Sequence, residues 1–170
     1  MENQVPTAWR TSGLKEGARA IITGASTGIG RAVAVQLAKE YKAKLILNAR
    51  GEEDLRLAAS QVAQAGGEAY CVSGDIAQPG VAKSLIDHCV EKFGGVDALI
   101  NNAGLARSGP MSKISIEDWR YVFEVNFFAS LEMIYGILPE FAKQGHGKIV
   151  NVASVAGKVS FPGSVCYTSS

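Results

Sequence analysis

The sequence predicts an α/β fold: a doubly wound parallel sheet with helices on both faces. Three observations carry that expectation. Short apolar runs alternate with segments of helical periodicity along almost the whole chain. The runs are near-continuously apolar rather than alternating, as in strands buried on both faces. A glycine-rich turn joins the first run to the first helical segment.

The elements follow in order. Ala18–Thr23 (ARAIIT) is a short apolar run that stops at Gly24. Ile29–Glu40 is helical, with apolar residues at Ile29, Val33, Leu37 and Ala38. Lys44–Leu47 is the second strand, and Glu52–Ala65 the next helix, with Leu55, Leu57, Ala58 and Val62. Glu68–Val72 is the third strand. Pro79–Phe93 opens near a proline and carries an apolar stripe through Val81, Leu85, Ile86, Cys89, Val90 and Phe93. Val96–Ile100 is the fourth strand. Ser115–Ala142 is the longest helical pattern, and Pro139 within it is expected to bend or shorten it. Lys148–Val152 is the fifth strand. Residues 15–170 read as one domain and residues 1–14 as an N-terminal arm.

Composition narrows the function classes. The net charge of +1 gives no bulk attraction to nucleic acid or to an anionic membrane. No stretch reaches the ~18 consecutive apolar residues of a membrane span. Met1–Gly17 lacks the apolar segment of a secretory signal, so a cytoplasmic location is expected. Cys71, Cys89 and Cys166 are odd in number and widely spaced, which reads as reduced thiols, with Cys71 in the core. His88 and His146 read as surface residues, and no metal site is expected.

The turn Thr23-Gly24-Ala25-Ser26-Thr27-Gly28-Ile29-Gly30 carries the chemistry. It follows a strand and opens a helix, where free N–H groups and the helix dipole attract an anion. Glycines let the backbone turn tightly and approach a pyrophosphate, so a dinucleotide is the expected ligand. Ser26 and Thr27 can add hydroxyl donors. A triphosphatase loop would need a Gly-Lys pair, which is absent. A methyl-donor site would be expected to carry an acidic residue near the first glycine, where Thr23 stands.

The spacing resembles the T-G-x-x-x-G-I-G loop of the short-chain dehydrogenases/reductases. Asn101-Asn102-Ala103-Gly104 resembles the N-N-A-G motif of that family. Ser154 and Tyr167 are spaced like its catalytic serine and tyrosine, and Asn126 falls at its catalytic asparagine. The agreement runs over residues 18–170. The resemblance implies a Rossmann-like sheet, a homo-oligomer, and hydride transfer between a nicotinamide cofactor and a small carbonyl or alcohol substrate. It implies Asn126, Ser154 and Tyr167 as catalytic. It implies Gly24, Ser26, Thr27, Gly28, Ile29, Gly30, Asp75, Ile76, Asn102, Ala103, Gly104 and Tyr167 as cofactor-binding. Asp75 and Ile76 would meet the adenine, or else form a polar turn beside a core isoleucine. Asn101 could instead tie neighbouring strands through its amide.

The second strand ends Leu47-Asn48-Ala49-Arg50, with no carboxylate to hold a ribose 2′-hydroxyl. The Arg50 guanidinium suits a 2′-phosphate, so NADP(H) is expected over NAD(H), with Glu52, Glu53 and Asp54 close enough to blunt the preference. The family's Y-x-x-x-K pattern places its lysine four residues after the tyrosine, the position after Ser170. On this ground the sequence is expected to be a fragment of a longer enzyme, lacking the C-terminal part of the fold. Were Ser170 the true end, little turnover is expected, and a non-catalytic NADP-binding or subunit-interaction protein is the alternative. An epimerase or dehydratase on the same scaffold is a weaker one. Leu105, Ala106, Phe161, Pro162 and Val165 suggest an apolar substrate wall.

Overall fold

A computed structural model describes residues 13–170. Residues 1–12 of the expected arm lie outside that range. Five parallel strands form one sheet: β1 (Arg19–Thr23), β2 (Lys44–Ala49), β3 (Glu68–Ser73), β4 (Ala98–Asn101) and β5 (Lys148–Asn151). Their order across the sheet is β3-β2-β1-β4-β5. The chain winds outward from β1 to β3, then returns past β1 to build β4 and β5. The crevice where winding reverses lies between the C-terminal ends of β1 and β4, which is where such sheets bind ligands.

Side chains of the central strands alternate between two cores, as a pleat of period two requires. Ala20, Ile22, Leu45, Leu47 and Ile100 face one layer, formed by α1 (Gly28–Tyr41) and α2 (Glu52–Gln64). Ile21, Ile46 and Leu99 face the other, where α3 (Val81–Phe93) packs with α5 (Ala129–Gln144). Every one of these strand residues is buried.

Several expectations are corrected. The apolar stripe read on α1 faces the core at Val33, Leu37 and Ala38 but not at Ile29. Ile29 is 61% exposed, and the buried residues are Gly30, Ala34 and Ala38. Small residues at this spacing let the helix backbone approach the sheet closely. On α2, Leu57 is exposed while Leu55, Ala58 and Val62 are buried. Cys71 is half-buried on the edge strand β3, its thiol against the Leu55 carbonyl. His88 is half-buried, its Nδ1 2.7 Å from the Ser84 carbonyl oxygen.

Pro139 does not shorten its helix. α4 (Ile116–Phe123), a π turn over Glu124–Phe128, and α5 run on as 29 helical residues to Gln144. The carbonyl that proline leaves unpaired belongs to Tyr135, a residue 73% exposed, where water can serve as donor. By length and composition this helix could cross a membrane. The polar residues dispersed along it are why no continuous apolar run marks it in the sequence. The fifth strand is less covered than its apolar composition suggests, and Val150 is 50% exposed. As an edge strand it pairs, among the described residues, only with β4.

Candidate active site

Three buried polar residues line the C-terminal edge of the sheet: Thr23, Asn48 and Asn101. Thr23 and Asn101 end β1 and β4, Asn48 is the penultimate residue of β2, and each ties its strand to a neighbour. Asn48 Nδ2 donates to the carbonyls of Val72 and Gly74 at 3.0 and 3.1 Å, joining β2 to the end of β3. Asn101 Nδ2 donates to Asn151 Oδ1 at 2.9 Å, joining β4 to β5. Its Oδ1 has no partner among the described residues. Thr23 Oγ1 accepts from the backbone N–H of both Asn102 and Ala103, each at 3.0 Å. Asn102 Nδ2 answers by donating to the carbonyls of Thr23 and Gly24, also at 3.0 Å. The crevice between β1 and β4 is therefore pinned by side chains from both strands.

That pinning explains two of the glycines. A Cβ on Gly24 would lie 2.8 Å from the Ala103 Cα, and Gly24 has φ +63°. A Cβ on Gly30 would run into the Gly24 carbonyl oxygen and the Asn102 amide. Gly28 differs. Its φ is +54°, but a Cβ there would meet nothing within 4 Å. It borders open space at the first turn of α1. Thr27 caps that helix without a side-chain hydrogen bond to its N–H groups. The result is a concave backbone surface at a helix N-terminus, shaped to take an anion. A dinucleotide pyrophosphate fits this donor set.

The cradle opens into a pocket of about 690 Å³. Gly24, Ser26, Thr27, Gly28 and Ile29 line one end, and Arg50, Asp75 and Ile76 the other. Asn102, Ala103 and Gly104 form the wall between. Gly30 is buried beneath the loop, and Tyr167 does not border the pocket. The amide of Asn102 is spent on the glycine loop, so that residue shapes the pocket while lining it.

The Arg50 end holds a hydrogen-bond chain. Tyr121 donates its hydroxyl to Asp75 Oδ2 at 2.6 Å, and Arg50 Nη1 donates to the Tyr121 oxygen at 3.4 Å. Asp75 Oδ1 accepts from the Ala77 N–H at 3.0 Å. The hydrogen bond to Asp75, then burial and the carboxylate charge, push the Tyr121 hydroxyl above its ordinary pKa, with Arg50 opposing. Tyr121 and Val125 line the pocket and were missed by the sequence reading. The available signal was their i,i+4 spacing, which puts both on one helix face just before Asn126.

Asn126 sits in the π turn, a helix irregularity that recurs at functional sites. Its Oδ1 accepts from the Leu105 N–H and its Nδ2 donates to the Leu105 carbonyl, both at 2.9 Å. The same amide donates to Ser170 Oγ at 2.8 Å, and that hydroxyl donates to the Tyr167 carbonyl at 2.9 Å. Tyr167 lies half-buried on α6 (Val165–Thr168). This helix packs against α4 and against the 3₁₀ turn Val155–Gly157. Ser154 caps that turn by accepting from the Ala156 N–H at 3.1 Å. The α6 segment that carries Tyr167 thus links the turn capped by Ser154 to Asn126, and Asn126 reaches the pocket wall through Leu105. Among the described residues, no cluster of three or more His, Cys, Asp or Glu is placed to hold a metal.

Comparison with known proteins returns one family. The family model described as short chain dehydrogenase matches residues 18–170. An uncharacterised oxidoreductase of Listeria innocua is 37% identical over 147 residues, covering 86% of this chain and 59% of that protein. The 3-oxoacyl-acyl-carrier-protein reductase FabG of Staphylococcus aureus is 31% identical over 148 residues, covering 87% and 60%. Among solved structures, a short-chain type dehydrogenase/reductase from Mycobacterium marinum superposes with TM-score 0.86 at 28% identity, covering 92% of this chain and 64% of that one. An NAD⁺-bound xylitol dehydrogenase superposes with TM-score 0.85 at 29% identity, covering 91% and 59%. The chain thus spans about three-fifths of the length of the curated relatives it matches.

Proposed function

This chain belongs to the short-chain dehydrogenase family, and from that premise we propose that it serves an oxidoreductase moving hydride between NADP(H) and a carbonyl/alcohol pair. The observation that carries the reading is the glycine cradle pinned by Thr23 and Asn102 at the reversal of the sheet. When bound, the nicotinamide dinucleotide would supply or accept the hydride. Gly24, Ser26, Thr27, Gly28 and Ile29 hold the pyrophosphate in this reading, and Gly30 supports the loop from beneath. Asp75, Ile76, Asn102, Ala103 and Gly104 hold the adenosine half.

Tyr167 gives its hydroxyl proton to the substrate oxygen in reduction and takes it back in oxidation. Ser154 hydrogen-bonds the same oxygen and fixes the substrate. Asn126 holds Leu105 and Ser170, and so the loop and helix that flank the reacting atoms, and anchors a water in the proton relay. The apolar residues exposed on the long helix, Phe127, Phe128 and Leu138, support a homo-oligomer built on that face. A cytoplasmic location belongs to the same reading.

Preference for NADP(H) rests on Arg50. Its guanidinium is exposed at the pocket end and makes no ion pair among the described residues. The nearby Glu52 is taken up by Arg56. Titration with NADPH and NADH tests this. Arg50→Ala should weaken NADPH about tenfold, or ~1.4 kcal/mol, and leave NADH within about twofold. Equal loss for both cofactors would remove the 2′-phosphate role.

A further inference from the structure

Arg50 and Asp75 carry opposite charges at the same end of the pocket, yet they do not pair. Tyr121 stands between them, accepting from Arg50 Nη1 and donating to Asp75 Oδ2. Its ring is delivered by α4, from the half of the chain built around β4 and β5, so the two groups on the β2 and β3 ends are separated by a side chain from across the crevice. Asp75 is fixed on its other oxygen by Ala77, while among the described residues the guanidinium has only the one long hydrogen bond. Asp54 borders the same pocket end without an ion pair to Arg50.

The physical consequence concerns the guanidinium fork. A direct arginine–carboxylate pair is bidentate and occupies two of the donors that a phosphate would use. It also cancels the charge that would draw the phosphate. Resting on the reading of Arg50 as the 2′-phosphate group, we propose that Tyr121 determines cofactor specificity by holding Arg50 and Asp75 apart, which keeps the guanidinium open to a 2′-phosphate. Removing the hydroxyl takes away the one atom that both groups contact, and leaves Asp75 Oδ2 without its donor and the guanidinium without its acceptor. Arg50 then collapses onto Asp75. Removing the Asp75 charge as well takes the trap away.

The experiment uses two nucleotide fragments that differ by the 2′-phosphate, adenosine 2′,5′-bisphosphate and AMP, titrated calorimetrically. The proteins are wild type, Arg50→Ala, Tyr121→Phe, Asp75→Asn and the Tyr121→Phe/Asp75→Asn pair, each checked for folding by circular dichroism. The readout is the ratio of the two affinities, which a general packing defect does not move. Wild type should favour the bisphosphate about tenfold, and Tyr121→Phe should cut that ratio at least about threefold with AMP within about twofold. The double variant should restore the ratio. A ratio unchanged by Tyr121→Phe but abolished by Arg50→Ala overturns this inference and leaves the Arg50 reading standing. A ratio unchanged by Arg50→Ala overturns that reading itself. Equal weakening of both fragments by Tyr121→Phe, or a lost ratio that the double variant fails to restore, also overturns the inference.

Discussion

Single residues at the loop and at the far end of the sheet have separable effects. Gly28 and Gly30 belong to one motif but answer to different constraints. Gly30→Ala forces a Cβ into backbone and should cost about 3 kcal/mol of stability along with cofactor affinity. Gly28→Ala meets no protein atom and pays only its left-handed φ, roughly 1–2 kcal/mol, yet its methyl projects into the open space of the cradle. Its NADPH affinity should fall at least tenfold while its urea midpoint moves less than that of Gly30→Ala. Wild-type affinity in Gly28→Ala would mean the ligand does not approach this turn.

Asp97 makes a second residue-scale case, at the opposite end of β1. It accepts from Arg19 Nη2 at 2.7 Å, Nε at 2.9 Å and the backbone N–H at 2.8 Å. Burial alone would raise the carboxyl, but those hydrogen bonds, with the charges of Arg19 and His146, hold it below its ordinary range. A depressed folded pKa contributes stability that is complete above the unfolded value, about 3.9, and is lost as pH falls through the folded one. Wild type should therefore exceed Asp97→Asn by about 1–3 kcal/mol at pH 7, a figure reduced from the fully buried case because both side chains see some water. Urea melts from pH 7 down to about 2.5 should show the two proteins converging below about pH 4. A gap that stays constant across that range would exclude the ion pair as its source.

At the scale of elements, the long helix joins two roles. α4 starts at a good cap, with Ser115 Oγ accepting from the Asp118 N–H at 3.0 Å. Ser115→Ala should cost about 1 kcal/mol, and Ser115→Asp should recover most of it, read by chemical denaturation. No loss in the alanine variant would show that α5 alone holds the helix. The π turn between them was invisible in the sequence. Nothing in Glu124-Val125-Asn126-Phe127-Phe128 breaks a helical pattern, and the widened turn holds Asn126 in its grip on Leu105, 21 residues away in sequence. The apolar stripe of α1 misled at Ile29, while Val33, Leu37 and Ala38 do pack on the core. Periodicity reports which face is apolar, whereas close packing against a sheet selects for small side chains, here Gly30, Ala34 and Ala38.

For the molecule as a whole, the order β3-β2-β1-β4-β5 sets a gradient of protection. Amides of Ile21, Ile22, Leu99 and Ile100 lie on central, buried strands, while Ile149 and Val150 lie on an exposed edge. Hydrogen exchange followed by NMR should find the first group slowest and the β5 amides the fastest among the strands. Uniform protection across the sheet would mean that β5 is covered in solution.

The sequence by itself determined the strand–helix alternation, the family, and the cradle that begins at Gly24. Those follow from local physics: apolar period, the freedom of glycine, and motif residues whose spacing along the chain is itself the signal. The folded chain decided how the motifs serve one another. Thr23 and Asn102 are 79 residues apart and lock the same loop, and Tyr121 lies 46 residues from the Asp75 it engages. Such pairs leave no trace in spacing, because a hydrogen bond between distant residues is made only when parallel strands bring their C-terminal ends to one edge.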